Sequence, residues 1–352
     1  MLGLAQVAVR ARKPDTRSDS IPAPVKGWNA RDALDGMKPE FAPVLDNWFP
    51  KTGFCEVRRG HASHATGVGS GAVETLAPYR PGSTVKLIAA GGGAIYDATA
   101  AGAATSLGSG FTNDRWQTTN FAARMFFVNG ADAPQVFDNA TLAAAGFTGA
   151  GLTPADLIGV HVFKNRLFFI EENSASFWYA GLSAVTGVLT EFKLDEVHPE
   201  GGKLIAMGSL TNDGGAGIDD LAVYIMESGA VIIYAGTDPG DAANWSLIGI
   251  FNIGAPIGRR SVLKVGADLI VITADGYIPL LPFLSTDRAN RALAVSDNIS
   301  GAVNDAVRAN ASTFGWQPVL YPRGNMAIFN APLIAGVNAV AHQHVINTVT
   351  GA

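Results

Sequence analysis

From Ala72 onward, apolar residues come in short runs broken by turn residues, and the runs come in pairs. Val85 to Ala90 meets Gly91-Gly92-Gly93 and returns through Ala94-Ile95-Tyr96. Arg124 to Val128 turns at Asn129-Gly130, the favoured dipeptide for a tight hairpin, and leads to Gln135-Val136-Phe137. Similar pairs are Arg166 to Ile170 with Ser176 to Tyr179, Leu221 to Met226 with Val231 to Tyr234, and Asp268 to Thr273 with Tyr277-Ile278. Met326 to Phe329 is joined by a longer loop to His344-Val345-Ile346. Six units result. Aligned on Leu87, Phe126, Leu167, Val223, Leu269 and Met326, they recur at intervals of 39, 41, 56, 46 and 57 residues. Periods of roughly 40–50 residues with two clear inner strands predict propeller blades. Strands buried on both faces also explain apolar runs where alternation would mark a half-exposed sheet.

The wider intervals predict insertions near 185–220, where the chain is rich in Gly and Asp, and near 285–315. The second holds the one good helical pattern. Ile299, Val303 and Val307 share a face, and Ser296 or Asp297 is placed to cap it. The expected fold is therefore all-β: a β-propeller of about six blades over 72–352, behind a basic arm (1–25) and an extended strap (26–71). His344 to Ala352 reads as a strand entering a turn with no returning strand, so the propeller is expected to be incomplete at its C-terminal end.

The strap has neither helical nor strand period. Pro39, Pro43 and Pro50 deny backbone donors, and Gly27, Gly36 and Gly53 mark turns. Trp28, Phe41, Trp48 and Phe49 need a surface to lie on. Trp48 is expected to be buried, with Trp48→Ala costing about 3–5 kcal/mol. Arg58 or Arg59 is expected to anchor the strap on a carboxylate or carbonyls. The arm, with Arg10, Arg12, Lys13 and Arg17, reads either as a disordered tail or as a segment that orders on a neighbouring subunit.

Charge and composition narrow the function. The chain of 352 residues carries 41 Gly, an excess that suits many tight turns. The formal charge is −5, and with +3 over residues 1–26 the body from 27 to 352 holds −8. Lys and Arg are scattered singly along the blades, which speaks against a duplex-gripping surface. A single cysteine, Cys55, excludes an internal disulfide framework and reads as a small buried filler. No apolar stretch approaches membrane-span length, and no secretion signal is evident.

Gly27-Trp28-Asn29-x-Arg31-Asp32, then Ala42-Pro43-x-Leu45-x-Asn47-Trp48-Phe49-Pro50, then Arg58-x-Gly60 resemble the start of the tail nozzle proteins of short-tailed bacteriophages. These are also called tail tubular or packaged-DNA stabilisation proteins. Tyr234-Ala235-Gly236-Thr237-Asp238-Pro239, with Trp245-Ser246, Phe251-Asn252-Ile253-Gly254 and Pro256-Ile257-Gly258, is similar to the family's mid-chain block. The resemblance implies a virion protein of the tail, assembled in the host cytoplasm. It implies a hexameric ring below the head-to-tail adaptor, in contact with other tail proteins, acting as conduit and seal for double-stranded DNA during ejection. Trp28, Asn29, Arg31, Asn47, Trp48, Phe49, Pro50, Arg58 and Gly60 would be its strap and assembly anchors. No catalytic residue, cofactor or metal is implied.

Other chemistry is weakly signalled. No phosphate loop or nucleophile elbow occurs. His342 and His344 share a strand face without an evident third ligand, and His61 with His64 is a similar pair. Glu171-Glu172 and Asp219-Asp220 are adjacent, so each pair points to opposite faces and makes no acid/base couple. Trp116, Trp178, Trp245 and Trp316 read as core. The alternative function is a propeller that binds or hydrolyses glycans, whose Ser-x-Asp-x-Gly-x-x-Trp pattern is missing here.

Overall fold

The computed structural model describes residues 20–83, 85–213, 218–282, 294–332 and 342–352. Its architecture follows from how one strand divides its side chains. Leu167, Phe168, Phe169 and Ile170 are all buried, yet they serve two cores. Leu167 and Phe169 pack with Phe126 and Val128 of the preceding sheet, whereas Phe168 and Ile170 pack with Ala222 and Tyr224 of the next. Side chains alternate along a strand, so an apolar run means a sheet sandwiched between two others.

Repeating that arrangement gives a six-bladed propeller of antiparallel sheets. Blade 1 is Thr75–Tyr79, Lys86–Gly91, Ala94–Asp97 and Thr105–Ser109. Blade 2 is Gln117–Phe121, Arg124–Val128, Gln135–Phe137 and Leu142–Ala144. Blade 3 is Leu157–Phe163, Arg166–Glu171, Ser176–Tyr179 and Thr190–Lys193. Blade 4 is Leu204–Asp213, Ile218–Met226, Ala230–Gly236 and Trp245–Asn252. Blade 5 is Val262–Val265, Asp268–Thr273 and Gly276–Pro279, and blade 6 is Gln317–Tyr321, Met326–Ala331 and His342–Asn347. The first strands of successive blades neighbour one another from blade 1 to blade 6, which places them around the axis.

Apolar clusters join each successive pair from blades 1 and 2 to blades 5 and 6. Among the described residues none joins blade 6 to blade 1. In blade 1, Ile88 and Ala90 face the blade 2 core, but the alternate Leu87 and Ala89 belong to no cluster. In blade 6, Ala327 and Phe329 face blade 5, and the alternate Met326 and Ile328 belong to none.

Arg260 bridges that seam at the axis. Its Nη1 donates to the Glu74 carbonyl (2.8 Å) and Gln317 Oε1 (3.2 Å), and its Nη2 to Thr75 Oγ1 (2.7 Å) and the Trp116 carbonyl (2.6 Å). One guanidinium thus ties the entries of blades 1, 2 and 6. Burial, with Arg259 alongside, lowers its pKa to about 10, so it stays charged at neutral pH. Arg115 and Arg260 both lie over the Phe314 ring, at 4.6 and 4.8 Å. The expectation of singly scattered cations therefore fails here, although Arg259 and Arg260 spend donors on oxygens of the protein itself.

Other expectations need correction. The segment 185–220 is no insertion: it holds the outer strand of blade 3 and the first strand of blade 4. Asn129-Gly130 opens a loop running to Pro134, because the Asn129 side chain accepts from the amides of Ala131 (3.0 Å) and Asp132 (2.8 Å). Near 285–315 the helix is real, at Ser300–Asn310 with Val303 and Val307 buried, while 283–293 lie outside the described residues. Neither Ser296 nor Asp297 caps it. Ser296 Oγ instead accepts from the Tyr277 amide (3.0 Å), and Asp297 pairs with Arg31.

Arg260→Ala would remove four hydrogen bonds at the axis, two of them buried, although Thr75 Oγ1 keeps the Trp116 amide as a donor (3.0 Å). We expect a loss of about 3 kcal/mol in unfolding free energy by urea denaturation, with expression as a folded protein retained. A loss below about 0.5 kcal/mol, the usual size for an inconsequential surface change, would show that the seam is closed by other means.

Candidate assembly site

The strap closes the rim as Arg260 closes the axis. Gly27 adopts φ +84°, and a Cβ there would sit 3.1 Å from the Ala352 carbonyl carbon, so glycine lets the strap press on the chain's last described turn. Asn29 is buried, and its Oδ1 accepts from the amides of Arg31 and Asp32, both at 3.0 Å. Its Nδ2 donates to Asp32 (2.8 Å), and Arg31 Nε grips the same carboxylate (2.8 Å). The Arg31 and Asn29 hydrogen bonds hold the Asp32 carboxyl below its ordinary pKa. Arg31 Nη1 then pairs with Asp297 beside the helix, and the Ala30 amide donates to the Asn298 carbonyl (2.9 Å). The motif Gly-Trp-Asn-x-Arg-Asp is thus a self-bonded turn riveted to blade 6's flank.

Farther on, the strap forms a hairpin the sequence pattern did not predict, Trp48–Lys51 with Phe54–Val57, turning at Gly53. Asn47 enters it in the left-handed region at φ +60°, which asparagine tolerates well. Arg58 closes the base, its amide donating to the Asn47 carbonyl (2.7 Å) and its Nη1 to Asn47 Oδ1 (3.3 Å). Asn347 Nδ2 donates to the Pro50 carbonyl (3.0 Å) and Lys51 Nζ to the Gly324 carbonyl (3.2 Å), so the hairpin lies beside the last strand of blade 6. The hairpin does not pair with that strand, which among the described residues is strand-paired only with Met326–Ala331. Beyond it the strap crosses to blade 1, where a Cβ on Gly69 would fall 2.3 Å from the Gly91 carbonyl oxygen. Backbone passes directly over backbone there, which explains the glycine run Gly91-Gly92-Gly93 beyond its role in the turn.

Between strap and blade 6 lies a cavity of about 440 Å³, lined among others by Lys26, Trp28, Trp48, Arg58 and His342. Asn47, Phe49 and Pro50 also line it, so six of the nine anchor candidates converge. Asn29 and Arg31 act behind the wall, and Gly60 is exposed and apart. Trp48 is not buried. It is 44% exposed, and Val57, directly opposite, is 53% exposed. The hairpin is held through Pro50 and Lys51 near its turn, while Trp48 at its open end lines the cavity and stays partly in solvent. Trp48→Ala should accordingly cost the isolated chain less than expected of a buried site.

The cavity carries little reactive chemistry. His344 is buried, with Nδ1 2.6 Å from the Tyr277 hydroxyl, whereas His342 is exposed. Burial, then His342, lowers the His344 pKa to about 4, and burial raises that of Tyr277, so both are neutral at pH 7. His64 Nε2 is spent on the Ala98 carbonyl (3.1 Å). Among the described residues no three His, Cys, Asp or Glu side chains gather to hold a metal. Glu171 accepts from Trp178 Nε1 (3.0 Å), and Asp220 from Thr211 Oγ1 (2.8 Å). Trp116, Trp178, Trp245 and Trp316 are core, as expected. Cys55 is half-buried, donating to the Pro24 carbonyl (3.1 Å), and burial raises its pKa. Asp297 and Asn347, which receive the strap, carry no local sequence signal. The adjacent pair Arg259-Arg260 was the visible trace of the axial tie.

No family profile matches the sequence, and no curated protein matches it. Among solved structures it is similar to a candidate 6-phosphogluconolactonase from Bacteroides fragilis (11% identity over 79% of this chain and 78% of that one, TM-score 0.42). It is also similar to YCF48 from Cyanidioschyzon merolae (11% identity, 58% of this chain and 71% of that one, TM-score 0.35). These likenesses do not bear on substrate or partner.

The buried imidazole sets a pH dependence. Unfolded, His344 takes its proton near 6.5; folded, only near 4. Its contribution is complete above pH 6.5 and falls by about 1.4 kcal/mol per pH unit as pH drops toward 4. His161, also lowered to about 4 by burial, adds a parallel loss. Thermal unfolding from pH 7 to 4 should therefore show a shallower slope in His344→Gln than in the parent, and equal slopes would remove His344 from the account.

Proposed function

We propose that this protein is a structural subunit of a short phage tail, a nozzle protein that assembles into a ring and passes double-stranded DNA. The observation that carries the reading is the anchored hairpin. The residues of the tail-nozzle resemblance are spent on fixing the strap, and the strap presents an apolar pair, Trp48 and Val57, to solvent at its open end. Exposed apolar residues on a rigid, polar-rimmed element mark a protein-binding surface, and Arg58 and Lys26 supply the rim. A ring needs a heterologous contact that closes, for which an exposed apolar pair on a braced hairpin is suited. Assembly sixfold below a head-to-tail adaptor, in the virion tail, follows from the same resemblance.

The body's −8 charge supports passage without grip, since tight non-specific binding requires phosphate neutralisation by clustered cations. The arginines gathered at the axis are bonded to the protein itself. Duplex binding by a protein lacking residues 1–20 should be no tighter than about 10⁻⁶ M at physiological salt. Nanomolar binding with a steep salt slope would exclude a conduit.

Particle images of the purified chain test the ring directly. Rings are expected, and Trp48→Asp should abolish them while leaving the circular dichroism spectrum unchanged. Monomers stabilised by added glycans would favour the glycan-binding alternative instead.

A further inference from the structure

Among the described outer strands of the propeller, Trp245–Asn252 of blade 4 is the longest, and it carries no charge. It pairs on one side with Ala230–Gly236 and, among the described residues, with no strand on the other. Leu247, Ile248 and Ile250 stand along it 41%, 51% and 37% exposed. Soluble proteins avoid such edges by shortening them, charging them or bulging them. Only the bulge is present. The register shifts between Ile233 and Tyr234, which leaves Ile248 without an opposite residue. A bulge interrupts the edge for strand pairing, and here it leaves two successive apolar side chains, Leu247 and Ile248, exposed. The strip is therefore suited to packing against another surface through its side chains.

The strap hairpin carries a matching surface. Its two strands pair only with each other among the described residues, and Trp48 and Val57 at its open end and Phe54 beside its turn are all exposed. Charge matches as well. Residues 47–60 hold Lys51, Arg58 and Arg59 against Glu56 alone, and the Arg59 side chain is almost fully exposed. Residues 227–252 hold Glu227, Asp238 and Asp241 without a Lys or Arg. Asp238 is met by Arg166 of its own subunit, which still leaves two acids and no cation. Within one chain the two surfaces cannot meet, because the hairpin lies beside blade 6 and blade 5 stands between it and blade 4.

Building on the ring reading above, we propose that the hairpin of one copy packs through Trp48, Phe54 and Val57 onto Leu247, Ile248 and Ile250 of a second copy. Each subunit then offers both surfaces, and a contact of this heterologous kind can close into a ring. The positions suit closure. Blades 4 and 6 stand two places apart, about 120° round a six-bladed propeller. A regular ring of six presents its two neighbours to each subunit at about that same angle, so subunits standing with parallel axes meet its geometry.

Cross-linking tests the contact. In a Cys55→Ser background, Ile248→Cys is combined with Val57→Cys or with Phe54→Cys, and the purified protein is oxidised. At least one pair should give a ladder of disulfide-linked chains, and each of these cysteines alone should give none. Rings in particle images without a ladder from either pair would overturn the proposal and leave the nozzle reading standing. A linked dimer from a single cysteine would also overturn it, because like surfaces would then be meeting. Monomers throughout would remove the ring reading and this contact with it. Complementation is an independent test. Ile248→Asp and Trp48→Asp should each stay monomeric with an unchanged circular dichroism spectrum, yet form a one-to-one dimer when mixed, since the mixture keeps one intact pair of surfaces. Rings retained by Ile248→Asp, or a mixture that stays monomeric where the parent forms rings, would sink the assignment.

Discussion

A propeller has no first or last blade in space, yet a chain has both, and joining them is the constraint on which this molecule depends. Five of its blade pairs close through interdigitated apolar side chains, which need no partner but each other. The sixth closes through a charge, Arg260, and through a strap outside the ring. The two devices differ physically. Arg260 gives up hydration and recovers it in four directed hydrogen bonds, so removing it takes a charged donor from four oxygens at once. The strap relies on a chain of small commitments instead: Gly27 for contact, Asn29 for shape, and Arg31 and Pro50 for attachment.

That division explains which residues must be as they are. Asn29 can be replaced by few side chains, because it must accept twice and donate once within three residues of its own backbone. Trp48, by contrast, is 44% exposed. A large aromatic kept half in solvent at the end of a braced hairpin is costly for solubility, and its retention makes sense if another surface covers it. The same hairpin lies beside the last strand of blade 6, joined to it by the Asn347 side chain and not by strand pairing.

Much of the fold was legible in the sequence. Apolar runs such as Leu167 to Ile170 announced sheets buried on both faces, and the six units fell at the right places. Spacing was the weaker guide. The wide interval before Val223 looked like an insertion because the outer strand Thr190–Lys193 is short and mostly exposed, with Phe192 as its one apolar residue. Asn129-Gly130 misled because the Asn129 side chain bonds forward along its own chain. Six of the nine strap residues singled out in the sequence line one cavity, and Gly60 lies apart from it. Their partners, Asp297 and Asn347, sit about three hundred residues away, and no local pattern could reveal which distant residue completes a hydrogen bond.

The doubled use of each central strand has a consequence for how the molecule comes apart. A change in Phe169 is felt in one interface and a change in Phe168 in the next, so stability passes between blades as it does between neighbouring units of a repeat array. In a seamless ring every unit would have two equal neighbours. Among the described residues blades 1 and 6 each share an apolar cluster with one neighbour, so the ring behaves as a linear array bent round to meet itself. Loss of structure should begin at those two blades and travel inward, with blades 3 and 4 the last to exchange their amide hydrogens.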